Sequence, residues 1–343
     1  MSKAVLSRRD FLKLSGFGLM GMVLPNLPLK FLQQDDFDNL QGRVIDRTIW
    51  EYDEPDFKAK RLNLYWHDLI LPITNTTVSE DETAYNRVWY QVAEGGYIYS
   101  GSVQPVRTIL NEPQTISRRG ALGEVSVPYT EARLEADRNA DVVYRLYYES
   151  THWIEASVSN EADGSMWYSL RDDKNKMSYY VPVQHIRILT AEELAPLSPH
   201  VSGRDKRVEV RLDDQLLMAH ESGELVFAAR VSTGGKRQSG KYTTPTGEFI
   251  TYHKRATRHM ATGDIASSGF DLPGVPWVLY ITEGGISLHG TYWHNDYGRP
   301  RSHGCINLTP QAAKWLFRWT IPAVPPDKQL IYGYVGTKVE IKV

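Results

Sequence analysis

The sequence of 343 residues contains a single cysteine, Cys305. One cysteine can form neither an intramolecular disulfide nor a cysteine-rich zinc site, so this thiol is either a small core residue or is kept for its chemistry. The chain also lacks an excess of either charge, with a net charge of −2, which argues against a protein that binds nucleic acid. Long apolar runs are absent beyond the first thirty residues, and the length indicates two or three domains.

The N-terminal segment has the features of an export signal rather than of a folded domain. Ser7, Arg8 and Arg9 precede a largely apolar stretch, a pattern that resembles the twin-arginine signal of proteins exported in the folded state. We therefore predict that residues 1–30 are a twin-arginine signal or anchor and that the protein works outside the cytoplasm, in the cell envelope. Residues 11–24 could remain as a membrane anchor, although they are short for a spanning helix.

The middle of the chain contains a repeated pattern. Trp89 and Trp167, each followed by tyrosine, lie 78 residues apart, and short alternating segments rich in aromatic residues surround both. These segments predict two small β units, over residues 44–110 and 122–190. Both units are similar to bacterial SH3-type modules, which often accompany cell-wall enzymes.

A proline-containing linker at residues 190–203 separates these units from a third, over residues 206–343. Segments of the third unit alternate between apolar and polar residues as strands do, for example in residues 207–212. One helix is predicted near the C-terminus, because Thr309 can cap it and Pro310 fits its first turn. We therefore expect the chain to be mainly β.

Three histidines lie close to the thiol in the sequence: His289, His294 and His303. A free thiol has a pKa of about 8.5 and is mostly protonated at neutral pH, so an imidazole that takes its proton turns it into a nucleophile. Gly304 directly precedes the cysteine and allows a tight turn in which backbone N–H groups converge on one oxyanion. The pattern predicts a cysteine–histidine nucleophile pair.

The run from His289 to Asn307 resembles a known catalytic motif. His-Gly, a loop and then Ser-His-Gly-Cys-Ile-Asn is the pattern of the L,D-transpeptidase (YkuD-like) catalytic domain. The turn at residues 244–247 and the apolar strand before His289 are similar to that domain too, so the resemblance covers residues 206–343. It implies a β-rich catalytic domain with one helix after the nucleophile, preceded by the two SH3-like modules.

The resemblance also implies a role for each residue of this run. It implies that the catalytic pair and the carbonyl that orients its imidazole are Cys305 as nucleophile, His289 as general base and Gly290. It implies that the nucleophile loop and its oxyanion site are formed by Ser302, His303 and Gly304. It implies that the substrate groove is lined by Tyr292, Trp293 and Asn307.

The same resemblance implies the reaction. The substrates are expected to be peptidoglycan stem peptides, one as donor and one as acceptor, with loss of a terminal D-alanine and without a cofactor. If water resolved the acyl-enzyme instead, the protein would be an L,D-carboxypeptidase or a cysteine–histidine hydrolase of cell-wall peptides. A wall-binding protein with an inactive catalytic domain is a further alternative.

The histidines leave a metal site as an alternative to the nucleophile. Zinc accepts imidazole and thiolate, but the spacing of the three nearby histidines and the cysteine fits no compact zinc signature, so we expect no metal. His294 by itself is expected to be a polar loop residue. His253 and His259 have no assigned role and are expected at the surface.

Replacement of both Arg8 and Arg9 by lysine tests the export signal. Because the arginine pair defines the twin-arginine signal, the double variant is expected to stay in the cytoplasm, as measured by cell fractionation. Lys3→Arg, a charge-conserving exchange outside the pair, is the control. Normal export of the double variant would contradict the prediction.

Overall fold

The computed structural model describes residues 39–343 except residues 94, 237, 241 and 264–268. Over this part the chain is mainly β, and the predicted fold class is confirmed. The predicted N-terminal signal lies outside the described residues. None of the helices described in the structure is long and apolar enough to span a bilayer.

The first module is a seven-stranded antiparallel sheet. Its strands are β1 (Gln41–Val44), β2 (Thr48–Tyr52), β3 (Arg61–Trp66), β4 (Ile70–Val78), β5 (Val88–Val92), β6 (Tyr97–Tyr99) and β7 (Val103–Val106). A turn of 3-10 helix at Ser100–Ser102 joins the last two strands. The strands lie in the order β3-β2-β6-β5-β4-β1-β7.

The second module repeats this arrangement. Its strands are β8 (Ala121–Val125), β9 (Tyr129–Arg133), β10 (Val142–Tyr147), β11 (Thr151–Ser159), β12 (Met166–Arg171), β13 (Ser178–Pro182) and β14 (Ile186–Ile188). Their order, β10-β9-β13-β12-β11-β8-β14, is that of the first sheet strand for strand. Trp89 and Trp167 lie on the fifth strand of their modules, so the sequence repeat corresponds to a structural one. The assignment of both modules to the SH3 type, with the predicted boundaries, stays a prediction.

We call the third unit the catalytic unit, after the predicted catalytic residues that it contains. Ten strands occur among its described residues. They are β15 (Lys206–Arg211), β16 (Leu216–Glu221), β17 (Glu224–Arg230), β18 (Gly247–Ile250), β19 (His253–Thr262), β20 (Phe270–Tyr280), β21 (Ser287–Gly290), β22 (Ile306–Leu308), β23 (Leu330–Tyr332) and β24 (Lys338–Lys342). They form two sheets, in the orders β17-β16-β15-β24-β18 and β22-β21-β20-β19-β23. The predicted site residues lie at and beyond the β22-β21 edge of the second sheet.

Two α-helices are described. A short helix, α1 (Ala191–Leu194), belongs to the linker, and α2 (Pro310–Trp319) follows β22. The start of α2 is as predicted, because the Thr309 hydroxyl accepts a hydrogen bond from the Ala312 N–H at 3.2 Å and proline occupies the first turn. The helix packs its apolar face behind β20 and β21, with Phe317 against Trp277 at a ring distance of 5.2 Å. It therefore supports the strand that carries His289.

The largest apolar core crosses the boundary between the second module and the catalytic unit. Leu122 and Trp153 of the module belong to the same buried cluster as Trp277 and Leu288 of the catalytic unit. Each module also has a smaller core of its own. Because the core is shared, the catalytic unit depends on the second module for part of its stability. The two units are therefore not independent domains.

His253 and His259 are buried, which corrects the expectation that they lie at the surface. His259 lies between two carboxylates, with Nδ1 2.6 Å from Asp172 Oδ2 and Nε2 2.6 Å from Asp271 Oδ1. Burial by itself would lower the pKa of His259, but the hydrogen bonds to both carboxylates outweigh it and raise the pKa. The side chain thus links the second module to β19 and β20.

Trp153→Ala tests the shared core. Trp153 is 5% exposed, and removing a buried tryptophan is expected to lower the free energy of unfolding by about 3–5 kcal/mol. Trp66→Ala is the matched control, because Trp66 is 61% exposed and its loss should change stability by less than about 0.5 kcal/mol. Denaturant unfolding of both variants, followed by circular dichroism, measures the difference. Equal stability of the two variants would contradict a shared core.

Candidate active site

Two parallel strands bring the predicted nucleophile and base together. β21 carries His289, β22 begins directly after Cys305, and Leu288 is paired with Ile306 and His289 with Asn307. The two predicted catalytic residues are 16 positions apart in the sequence, but His289 lies on β21 and Cys305 directly precedes the neighbouring strand β22. A cysteine at the start of an edge strand is reachable, whereas the histidine beside it is buried.

The His289 ring is fixed by its own neighbour in the chain. Its Nδ1 lies 3.0 Å from the Gly290 carbonyl oxygen. A carbonyl only accepts hydrogen bonds, so Nδ1 carries the proton and donates it, and Nε2 keeps its lone pair. The predicted orienting contact of Gly290 is therefore present, and it leaves the tautomer that a base acting on a thiol needs.

The environment of Cys305 favours the thiolate. Burial raises the pKa of the Cys305 thiol, but a hydrogen bond and the charge interaction with His289 outweigh burial and bring the pKa below its ordinary value. Ser287 contributes in the same direction, with its hydroxyl oxygen 3.6 Å from Sγ. Sequence reasoning missed Ser287, which is two residues before the base on β21 and so points to the same side of the strand.

The loop before the cysteine is closed by its own serine. The Ser302 hydroxyl donates to the Cys305 carbonyl oxygen at 2.6 Å and accepts from the Gly304 N–H at 3.0 Å. The Gly304 N–H is therefore engaged inside the loop and shapes it, rather than binding an oxyanion. Gly304 has a φ of 144°, and a Cβ there would lie 2.7 Å from Ile286 Cδ1, so the tight turn requires glycine.

The turn at residues 244–247 holds this loop from behind. Thr244 is buried, and its hydroxyl donates to the Gly304 carbonyl oxygen at 2.8 Å and accepts from the Gly234 N–H at 2.8 Å. Gly304, directly before Cys305, is thereby held at both its N–H, by Ser302, and its carbonyl oxygen, by Thr244. The resemblance singled out this turn, but only the structure shows that the threonine hydroxyl positions the nucleophile loop.

His303 lies on the outside of the loop. Its side chain is exposed, and its ring centroid is 5.7 Å from that of Phe270 at the start of β20. The pKa of the thiol is set by burial, His289 and Ser287 as its leading causes. Of the histidines that flank the cysteine in the sequence, His289 is therefore the one placed to act as the base.

Trp293 is the best placed of the three predicted groove residues. Its ring centroid lies 5.7 Å from that of His289, with the planes tilted by 35°. Tyr292 is buried, its hydroxyl donates to the Pro273 carbonyl oxygen at 2.8 Å, and its ring packs edge-on against Trp293 at 5.0 Å. Trp293 can contact a substrate beside the base, and the buried Tyr292 ring packs against Trp293 and holds it in place.

Asn307 and His294 lie beneath the site. Both are buried, and the Asn307 side-chain amide lies 2.9 Å from His294 Nε2. Burial lowers the pKa of His294 to about 3, so the ring is neutral. This corrects the prediction that Asn307 lines the groove, because its buried side chain offers a substrate no accessible surface. His294 lies in the loop after β21, as predicted, but its side chain is buried.

A buried carboxylate anchors the loop between base and nucleophile. Asp296 accepts hydrogen bonds from Arg301 at 2.6 Å and from the hydroxyls of Tyr85 and Tyr99, the latter at 3.2 Å, and it pairs with Arg299 at 2.5 Å. Both arginines come from the catalytic loop, and both tyrosines come from the first module. Nothing in the sequence marked Asp296, because its partners are either local arginines or lie about two hundred positions away.

Further contacts tie the same loop to the first module. The Asn295 amide donates to the carbonyl oxygens of Ser100 and Val103, each at 3.1 Å. The buried Arg43 donates from Nη2 to the Tyr292 carbonyl oxygen at 2.6 Å. The first module therefore holds the loop that leads from His289 to the nucleophile.

No group of three or more His, Cys, Asp or Glu side chains that could hold a metal ion occurs among the residues that the structure describes. The thiol and imidazole need no metal for acyl transfer, because the base supplies the proton acceptor and the thiolate the nucleophile.

His289→Ala tests the assignment of the base. With the imidazole gone, only the smaller contribution of Ser287 opposes burial, so the midpoint of Cys305 alkylation by iodoacetamide should move up to or beyond about pH 8.5. At pH 6.5 the alkylation rate should fall by about tenfold or more. His303→Ala is the matched control and should leave the midpoint low. A midpoint that moves in His303→Ala and not in His289→Ala would reverse the two roles.

One family match covers this part of the chain. Residues 205–341 match the YkuD family, the L,D-transpeptidase catalytic domain. Among solved structures, an L,D-transpeptidase from Xylanimonas cellulosilytica is 28% identical over 40% of this chain and 60% of its own, with a TM-score of 0.27. An L,D-transpeptidase from Enterococcus faecium is 23% identical over 40% of this chain and 50% of its own, with a TM-score of 0.31.

An L,D-transpeptidase from Mycobacterium smegmatis is 18% identical over 55% of this chain and 81% of its own, with a TM-score of 0.33. The chain spans less than two thirds of the Xylanimonas and Enterococcus proteins. A search of curated proteins finds no match. The family match covers both members of the cysteine–histidine pair and the turn behind them. The part of the chain that carries Cys305 and His289 is thus an L,D-transpeptidase catalytic domain of the YkuD family.

Proposed function

We propose that this protein is a peptidoglycan L,D-transpeptidase with Cys305 as its nucleophile. The observation that carries the proposal is the pairing of this thiol with His289, whose Nδ1 proton is donated to Gly290, inside a YkuD catalytic domain. A thiol with a lowered pKa next to a correctly protonated imidazole is a complete nucleophile–base pair.

The first half-reaction forms a thioester. The Cys305 thiolate attacks the carbonyl carbon that joins the L-centre of a diamino acid to the terminal D-alanine of a donor stem peptide. The carbon–nitrogen bond breaks, His289 passes the thiol proton to the leaving amine, and D-alanine departs. Backbone N–H groups of the tight turn before the nucleophile are the natural donors to the tetrahedral oxyanion, with the Gly304 N–H already engaged.

The second half-reaction transfers the acyl group to an amine of an acceptor stem peptide. His289 takes a proton from the attacking amine, the carbon–sulfur bond breaks, and an amide cross-link forms. A thioester suits this step because it reacts readily with amines. If water reaches the thioester first, the same site works as a carboxypeptidase.

We further propose that the protein works in the cell envelope after export by the twin-arginine route. Support comes from the Arg8-Arg9 pair and from a substrate that lies outside the cytoplasm. Residues 11–24 would then serve as signal or membrane anchor, and the two modules would hold the catalytic unit at the wall. The proposal requires no cofactor and no nucleic acid.

The test is incubation of the purified protein with disaccharide-free tetrapeptide stems, followed by mass spectrometry. We expect D-alanine release, a protein mass increase at Cys305 and cross-linked dimers, and Cys305→Ala should lower all three by at least about 10³-fold. His200→Ala, an exposed position far from the thiol in the chain, is the control. Monomer products with no dimers would favour the carboxypeptidase or hydrolase alternative, and no D-alanine release at all would favour a wall-binding protein.

A further inference from the structure

A cavity of about 380 Å³ lies where the two modules and the catalytic unit meet. Its walls include His67 of the first module, Val143 and Arg145 of the second, and Asp271 and Trp293 of the catalytic unit. Pockets for small ligands have volumes of ~300–1,000 Å³, so the cavity is large enough for part of a peptide. No single unit forms it, because all three units contribute walls.

Trp293 connects this cavity to the catalytic base. The residue lines the cavity, and its ring centroid lies 5.7 Å from that of His289. The buried ring of Tyr292, also in the cavity wall, packs edge-on against Trp293 and fixes its position. The cavity is therefore lined by the side chain that packs beside the base.

The walls carry both signs of charge, each held in place by a partner. The Arg145 side chain is 41% exposed, with Nη1 2.7 Å from Asp68 Oδ2. The Asp271 side chain is 24% exposed, with Oδ1 3.1 Å from Lys174 Nζ and 2.6 Å from His259 Nε2. Both groups are thus pre-positioned while part of each stays accessible, which lowers the entropic cost of binding an oppositely charged group. A ligand that bears an ammonium and a carboxylate matches these walls.

The chemistry of transfer requires such a ligand next to the base. In the second half-reaction the amine that attacks the thioester must give its proton to His289, so the acceptor has to approach from the side of that ring. The donor is by then bound to Cys305, directly before the neighbouring strand. Trp293 packs beside the His289 ring and also lines the cavity, so the cavity lies on that side of the base.

We propose that this cavity is the acceptor subsite, which binds an acceptor stem peptide through a carboxylate at Arg145 and an ammonium near Asp271 and delivers an amine past Trp293. The inference rests on the proposed function. In the step it serves, the amine nitrogen bonds to the thioester carbon, the carbon–sulfur bond breaks, and the amine proton passes through His289 to the departing thiolate. The modules thereby take part in choosing the acceptor.

The test fills the cavity without removing a charge. Val143 is a half-buried residue in a β-bulge of β10, between the paired positions Val142 and Tyr144, so Val143→Trp breaks no strand pairing. Transfer kinetics are measured with a tetrapeptide donor and a synthetic tripeptide acceptor with one free side-chain amine. We expect the acceptor KM to rise by about tenfold and a larger share of the acyl-enzyme to be lost to water. Arg145→Gln should raise the acceptor KM as well, because a charge-assisted bond is lost.

Val142→Trp is the matched control, because Val142 is the adjacent residue, is 47% exposed and does not line the cavity. It should keep the wild-type KM and product ratio. If Val143→Trp does not fold, His67→Trp decides, since His67 is an exposed residue of the same cavity. A wild-type acceptor KM in the folded cavity variants overturns the subsite while leaving the transpeptidase intact. Failure of the wild type to release D-alanine overturns the proposed function and the subsite with it.

Discussion

The buried carboxylate of Asp296 constrains the rest of the site. A carboxylate removed from water is stable only when it is paired and hydrogen-bonded, and the catalytic loop alone supplies just Arg299 and Arg301. The hydroxyls of Tyr85 and Tyr99 complete the set, and both belong to the first module. The loop between base and nucleophile is therefore held in its folded shape partly by that module. A domain that looks like an accessory in the sequence is part of the framework of the active site.

The duplicated modules contain two further carboxyl groups that make contacts between units. Asp68 and Glu149 occupy equivalent turns, two residues after β3 and β10, and each has a positive φ, of 64° and 62°. Such a backbone conformation is uncommon for these residues and persists where the surroundings hold it. Each turn faces the next part of the molecule: Asp68 pairs with Arg145 of the second module, and Glu149 accepts a hydrogen bond from Gln311 of α2.

The pKa values of the carboxyl groups in the two turns are shifted in opposite directions. Burial would raise the pKa of Asp68, but hydrogen bonds from Arg145 and Arg43 outweigh it and lower the pKa, so this carboxylate is ionised. At Glu149, burial and then the nearby Glu124 shift the pKa in the opposite direction and raise it to about 8. One repeated backbone feature thus places a carboxyl group with a lowered pKa between the modules and one with a raised pKa against the catalytic unit.

The sequence predicted those features of the site that depend on residues close together in the chain. The start of α2 at Thr309 and the Ser302–Cys305 turn are set by neighbours in the chain, and both were predicted. The burial of Asp296, His259 and Asn307 was not, because each is stabilised by a partner whose distance in the sequence carries no period or motif. A polar residue looks the same in the sequence whether water or a buried charge surrounds it.

The modules have two effects on catalysis that one deletion cannot separate. Through Asp296 and Asn295 they fix the loop that precedes the nucleophile, and through Arg145 and His67 they form walls of the cavity beside the base. Loss of a module would disturb loop geometry and acceptor binding together, and the activity lost could not be assigned to either. The positions of the thiol and the imidazole are less sensitive to such changes, because β21, β22 and α2 position the pair from within the catalytic unit. Formation of the acyl-enzyme should therefore depend on the modules less steeply than its transfer to an acceptor does.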